Sequence, residues 1–294
     1  MIDPAQILID AVSVGGLYAL TALGIGLIFS VMRLANFAHA EFVTIAAYML
    51  FAFSGSPVAI AIIAAVVVAV LLALATERIA FRPLRGADSA TLLIASFAVS
   101  MFLQKLLIFA VGSRPKALDP LPALSRTIAI GSLQVSALKL VTILVCLILL
   151  AALTAFLKWT RFGLQMRASA ENFTMARLLG VRANAVIAIA FGLSGLLAAV
   201  VAVLFAAQSG FVQPRFGVQI VIIAFVATVI GGLGNLFGAA VGGFFVGVVS
   251  ILLQAFLPPE LRVFREAFLF VVVIIVLLFR PQGLFPARNL RERV

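Results

Sequence analysis

The stretch KWTRFGLQMRASAENFTMARLLGVR, residues 158–182, carries five Lys/Arg and one acid, and it lies between two long apolar runs. Those runs are each about 20 residues long, enough to cross a hydrocarbon layer as a helix. A basic, helix-prone island between two spans reads as a cytoplasmic loop, because Lys and Arg accumulate on that side of a membrane. Outside the island the chain keeps repeating one pattern, apolar runs broken by short polar punctuation.

Composition points the same way. The 294 residues are 65% hydrophobic and 11% charged, with a mean hydropathy of +1.28. A soluble fold of this length could not hide so much apolar surface. A closed barrel would show short alternating strands, and none are evident. The expected fold is all-α: a polytopic transmembrane helical bundle of about eight or nine spans, forming a single domain over residues 1–294. The net charge of +11 then reflects loop bias rather than a nucleic-acid surface. Cys146 is alone, so neither a disulfide framework nor a thiolate metal site is expected. His39 is the single histidine, which excludes a His-cluster metal site built from this chain alone. No basic segment precedes the first apolar run, so a cleavable signal peptide is not expected. Asp3 and Asp10 precede that run and Arg33 follows it, which favours an outer N-terminus.

Apolar segments fall at roughly 7–32, 41–53, 57–76, 90–111, 138–157, 185–208, 216–230, 239–257 and 266–279. The runs 41–53 and 216–230 are short for full crossings. Arg78, Arg82 and Arg85, the island, and Arg280, Arg288, Arg291 and Arg293 form three basic groups. Placing all three inside gives about nine crossings, or about eight with one re-entrant segment. Residues 112–134 read as an outer loop, since Pro115, Pro120 and Pro122 oppose a continuous helix. Lys105, toward the end of its run, can snorkel to the interface.

Two glycine-rich stretches stand out, GGLYALTALGIG at 15–26 and GGLGNLFGAAVGG at 231–243. Small residues let helices approach closely in lipid, and packing is the simplest reading of both. Gly231, Gly232, Gly234 and Asn235 also fit a sharper one, a helix break beside a pathway. The other polar interruption runs from Arg33 to Glu41. Asn36 is placed to cap a helix beginning at Phe37, leaving Glu41 and the helix N-terminal amides near a polar gap, with His39 a further candidate pathway residue of the same stretch. The simpler reading is a solvated inner loop. As a catalytic pair, His39 and Glu41 lack a nucleophile.

The chain carries no phosphate-binding loop, nucleophile elbow or metalloprotease motif. No span holds an acidic pair or an arginine ladder of the kind that proton-coupled pumps and voltage sensors need. A catalytic site is therefore not expected, and active transport would draw its energy from another subunit. Within the island, Asn172 suits an N-cap, Phe173 to Leu179 suit about two helical turns, and Gly180 suits the terminator. Met175, Leu178 and Leu179 share one face at helical spacing, flanked by Arg177 and Glu171. Such a helix fits a groove on another protein; the competing reading lays it on lipid headgroups.

The segment Ser169–Val181, SAENFTMARLLGV, resembles the coupling loop of permease subunits in high-affinity branched-chain amino acid ABC importers, which reads close to A-x-N-P-x-x-A-x-x-x-G-I. The resemblance continues elsewhere. NFAHAEFVTIAAY at 36–48 is similar to that family's N-x-A-H-G-E stretch, RPLRG at 82–86 to a loop motif, 231–243 to its GGxGxxxGAxxGG run, and RPQGLF at 280–285 to its C-terminal signature. Ala40, Ala47 and Phe173 stand where the family commonly has Gly, Gly and Pro.

This resemblance implies an importer subunit of a bacterial inner membrane, with its C-terminus cytoplasmic. A periplasmic binding protein would deliver Leu, Ile, Val or a related small amino acid or amide. A second, homologous permease would complete the pathway, and two ATP-binding cassette ATPases would dock on the coupling helix and hydrolyse ATP. The chain itself would bind no cofactor. A self-contained secondary transporter or channel for small polar solutes is the alternative; it would transport without any ATPase.

Overall fold

A computed structural model describes residues 4–124, 126–130 and 133–285. Asp3, Arg288, Arg291 and Arg293, used above to orient the chain, lie outside the described residues. Helix α1 spans Pro4–Met32, α2 His39–Ala52 and α3 Val58–Thr76, which continues as a π-helical turn over Glu77–Phe81. Helix α4 follows at Ser89–Val111. Strands β1 (Lys116–Ala117), β2 (Thr127–Ile130) and β3 (Leu133–Ser136) precede α5 (Ala137–Trp159), α6 (Arg161–Glu171) and α7 (Phe173–Leu178). The remainder is α8 (Ala183–Ser209), β4 (Phe211–Val212), α9 (Phe216–Gly231), α10 (Leu236–Phe256) and α11 (Arg265–Phe279).

Among the described residues, 6 helices are long and apolar enough to cross a membrane: α1, α3 with its π turn, α4, α5, α8 and α10. Helices α2 and α9 are apolar but shorter, as the short runs at 41–53 and 216–230 lead one to expect. Helices α1 and α8 form the buried centre, while α3, α4 and α5 expose most of their surface. Ala61, Ala65, Ala69 and Ala73 recur every fourth residue as a buried stripe on α3. Ile60, Ile63, Val67 and Leu71 on its other side are exposed, as suits a helix bathed in lipid.

The two glycine-rich stretches prove to be partners. A Cβ on Gly243 of α10 would sit 2.6 Å from Ala19 Cα of α1, and one on Gly247 only 2.4 Å from Gly15 Cα. The backbones therefore touch along the pair, the close approach that replaces a hydrophobic drive in lipid. Among the described residues of 112–134 there is no continuous helix. β1 pairs antiparallel with β4, and β2 with β3, at the end of the bundle where α4 finishes and α5 begins.

The opposite end gathers the described members of the basic groups. Arg85, after the π turn, bonds to Asn184 at the start of α8. Lys158 and Arg167 line a cavity of about 310 Å³ together with Leu236 and Phe237 of α10. Phe285 packs edge-on against Phe237, with ring centroids 5.3 Å apart, so the 280–285 segment lies at this end too.

Three boundaries differ from the sequence expectation. The ERIAF stretch, read as loop, stays helical because its backbone keeps bonding, now with one residue more per turn. The island holds two helices rather than one: Thr160 caps α6 by accepting from Gly163 N at 3.0 Å. And α2 begins at His39, not Phe37. Asn36 Oδ1 accepts from Ala38 N at 3.1 Å, a tight turn that delays the helix by two residues.

Candidate functional site

Helix α7 is built from local signals. Asn172 Oδ1 accepts from Met175 N at 3.0 Å, an N-cap worth about 1 kcal/mol. At the other end Gly180 takes φ 87°, which glycine adopts without steric cost. Gly180 N bonds to Arg177 O and Val181 N to Ala176 O, both at 3.0 Å. That pair of bonds is a Schellman closure. Ala176 is buried and Phe173 half-buried, so the helix is pinned by its inner face. Met175, Leu178 and Leu179 turn outward, 54%, 77% and 81% exposed. Arg177 and Glu171 are exposed beside them. Three large apolar side chains on a polar end of the bundle are costly unless something covers them.

The second constellation is the Asn36–Glu41 interruption, which the structure buries. Asn36, His39 and Glu41 have almost no exposed surface, so the solvated-loop reading does not hold. The chain reverses direction here inside the bundle, and α1, α4, α8 and α9 close around it. His39 Nδ1 lies 2.9 Å from Ser194 Oγ of α8, whose hydroxyl donates to Gly24 O of α1 at 2.8 Å. With the hydroxyl proton committed to Gly24, Nδ1 carries the ring hydrogen and donates it to Oγ. The imidazole thus knots three helices together. It also occupies the space over Gly24, where a Cβ would lie 2.7 Å from Cε1.

Glu41 faces another way. One carboxylate oxygen accepts from Ser100 Oγ of α4 at 3.1 Å. Ser96 Oγ of the same helix shares its one proton between Leu93 O of its own turn at 2.8 Å and Ala35 O at 3.2 Å, and Phe97 stacks on Phe37 at 4.1 Å. Helix α4 therefore lies over the interruption as a cover. His39 and Glu41 serve different neighbours and are not brought together as an acid–base pair. Glu41 Oε2, Asn36 Nδ2 and His39 Nε2 are buried and without a hydrogen bond among the described residues.

The third constellation is the break between α9 and α10. Gly232 and Gly234 take φ 112° and 85°, and Asn235 Oδ1 caps α10 by accepting from Gly238 N at 3.2 Å. Sequence reasoning found this break but missed what rests on it. Leu284 N donates to Ile230 O at 2.7 Å and Phe285 N to Gly231 O at 3.0 Å. Asn235 Nδ2 donates to Phe285 O at 3.0 Å. Gly283, at φ 81°, approaches so closely that a Cβ there would be 2.8 Å from Gly232 Cα. The Asn36–Glu41 segment and the first turn of α10, which follows the break, meet the same part of α1: His39 sits over Gly24, and Ala239 Cβ would be 3.2 Å from a Cβ on Gly26.

Ser194, Ser100 and the 283–285 segment were not legible as site residues. The serines' only signal is polarity inside apolar runs; the last was quoted within RPQGLF at 280–285, with nothing to say that it rests on the break.

A helical bundle whose apolar helices are interrupted by buried polar residues and capped glycine breaks belongs to the class of membrane transport proteins. More narrowly, the chain belongs to the family described as branched-chain amino acid transport system permease components, whose pattern matches residues 7–278. It is similar to the high-affinity branched-chain amino acid transport system permease protein LivH of Salmonella typhimurium, 33% identical over 95% of this chain and 94% of that one. The BraD permease of the corresponding system in Pseudomonas aeruginosa is 32% identical, with the same coverage of both chains. The autoinducer 2 import system permease protein LsrC of Photorhabdus luminescens is 34% identical, over 44% of this chain and 41% of that protein. Among solved structures, PsaBC from Streptococcus pneumoniae in complex with Fab matches with a TM-score of 0.49 and 14% identity, covering 97% of this chain and 94% of that one.

Proposed function

We propose that this chain forms one half of the membrane pathway of an ATP-driven importer for branched-chain amino acids or related small amino acids and amides. A second, homologous permease supplies the other half, and a periplasmic binding protein delivers the cargo. Two ATPase subunits dock on the basic end of the bundle. The chain crosses a bacterial inner membrane about nine times, counting the shorter helices α2, α9 and α11, with the 280–285 segment cytoplasmic.

The observation that carries this reading is α7. It is capped at both ends, pinned by Ala176 and Phe173, and offers Met175, Leu178 and Leu179 outward at a polar end. An ATPase groove covers that face, with apolar anchors supplying affinity and Arg177 and Glu171 setting register at the rim. Helix α7 has only 6 residues, too small an area for binding to headgroups alone. Along the pathway, Glu41 Oε2 and Asn36 Nδ2 offer unpartnered polar atoms inside the bundle, where ionisable groups mark solute routes.

Leu178→Asp puts a charge into the covered groove. The expected cost is on the order of 3 kcal/mol, about a hundredfold in affinity. The permease still inserts, because Leu178 lies outside every long apolar helix, but ATPase subunits no longer co-purify and leucine uptake stops. Unchanged co-purification and uptake in this variant would falsify the docking role. Leucine uptake by the purified chain alone, with no ATPase present, would instead identify a self-contained carrier.

A further inference from the structure

Arg85 has no role in the pathway or in the docking face, yet it is bound on two sides. Its guanidinium forms an ion pair with Glu77 and also donates to Asn184 Oδ1. Glu77 is buried and opens the π turn at the end of α3. Asn184 is the second residue of α8, and the four residues 179–182 join that helix to α7. One side chain therefore joins the end of α3 to the point where the docking helix hands over to α8. A bidentate guanidinium holds such a junction in fixed orientation, which a point charge would not.

The two helices so joined already pack as one body. A Cβ on Gly195 of α8 would lie 2.8 Å from Ala69 O of α3, and Phe81 of the π turn meets Phe191 of α8 at 5.6 Å. What Arg85 adds is the loop 82–88, which leads into α4. Asp88 in that loop caps α4, its carboxylate accepting from Ala90 N, Thr91 N and Thr91 Oγ1. Those bonds hold the Asp88 carboxyl below its ordinary pKa, so the cap is charged at neutral pH. Helix α4 in turn covers the polar segment through Ser96, Phe97 and Ser100.

We propose that Arg85 is a positioning residue for transport. By clasping Glu77 and Asn184 it makes the start of α4 follow α7 and α8, so that a tilt imposed on the docking helix uncovers or closes the Asn36–Glu41 segment. This rests on the docking reading of α7. The clasp supplies what that reading lacks, a physical link from the cytoplasmic end to the cover over the polar residues. A bistable element biased from both ends is what coupling between distant sites requires.

The test uses the assembled complex in proteoliposomes, in a Cys146→Ser background, with spin labels on cysteines placed at the exposed positions Met101 of α4 and Trp159 of α5. ATP with vanadate shifts the label distance in the parent. Arg85→Ala abolishes the shift, Asn184→Ala shrinks it, and Asn184→Asp, which keeps an acceptor oxygen, restores it. All three keep their ATPase subunits and continue to hydrolyse ATP. Leucine moved per ATP falls about tenfold in Arg85→Ala, within the range of ordinary coupling energies. Should Arg85→Ala fail to fold, Asn184→Ala decides alone, because Asn184 is exposed and its loss leaves the ion pair intact. A parent-like shift in Asn184→Ala, or no shift in the parent, overturns the proposal. If Leu178→Asp keeps its ATPases, the docking reading fails and the relay falls with it. If Leu178→Asp loses them while Asn184→Ala moves normally, only the relay fails.

Discussion

At the scale of single residues, backbone conformation is the sharpest constraint. Gly232 sits at φ 112°, a region where a side chain costs about 1–3 kcal/mol, and Gly283 of the 280–285 segment lies against it. Gly232→Leu is therefore expected to reduce uptake far more than membrane insertion. Insertion is read from the amount of permease in isolated membranes, and wild-type uptake at normal protein levels would reduce this glycine to a spacer. The glycine break was legible because its signal is local: glycines and an asparagine between two apolar runs demand a turn. The company kept by His39 was not. Its partners Gly24 and Ser194 sit 15 residues before and 155 residues after it, and a serine inside an apolar run gives no indication of what it bonds. Asn36 shows a third case. The residue type was right for a cap, but a two-residue turn using the same side-chain oxygen competes with a cap and won here.

At the scale of elements, α7 was the best-read part of the chain, since cap, apolar face and terminator all lie within nine residues. Asn172→Ala removes the cap at about 1 kcal/mol. Co-purified ATPase should fall by about fivefold if the docked helix must be preformed, well short of the loss expected for Leu178→Asp. Equal losses in the two variants would show that helix order, not the apolar anchors, governs docking. Helix α6 was missed because it is polar on average and the face it buries, Gly163, Met166 and Ser169, carries only one large apolar side chain, so a cap such as Thr160 was a weak signal. The π turn after α3 has no sequence signal at all. It is imposed from outside by tertiary contacts: Glu77 is buried against Arg85, and Phe81 is buried against Phe191.

At the scale of the whole molecule, hydropathy was enough to place the long spans, and it left the short ones ambiguous. Helices α2 and α9 are shorter than the long apolar helices because each meets a polar interruption or a break inside the bundle. The distribution of charge predicts orientation. A reporter inserted beside Arg85 is expected to read cytoplasmic and one beside Asp119 external, since the first lies at the basic end and the second among the strands. The same reading from both would mean that α4 does not cross.

The clasp of residues 283–285 on the α9–α10 break also carries a meaning in time. Asn235 and Phe285 are 50 residues apart in the chain, so the break leaves the ribosome well before the segment that seals it. Until α11 has been inserted, the carbonyls of Ile230 and Gly231 have no partner from 284 and 285 and must find water or a chaperoning surface. Insertion of this protein thus leaves its most irregular stretch open until nearly all of the bundle is in place, and a chain halted before Arg280 would expose that opening to quality-control proteases.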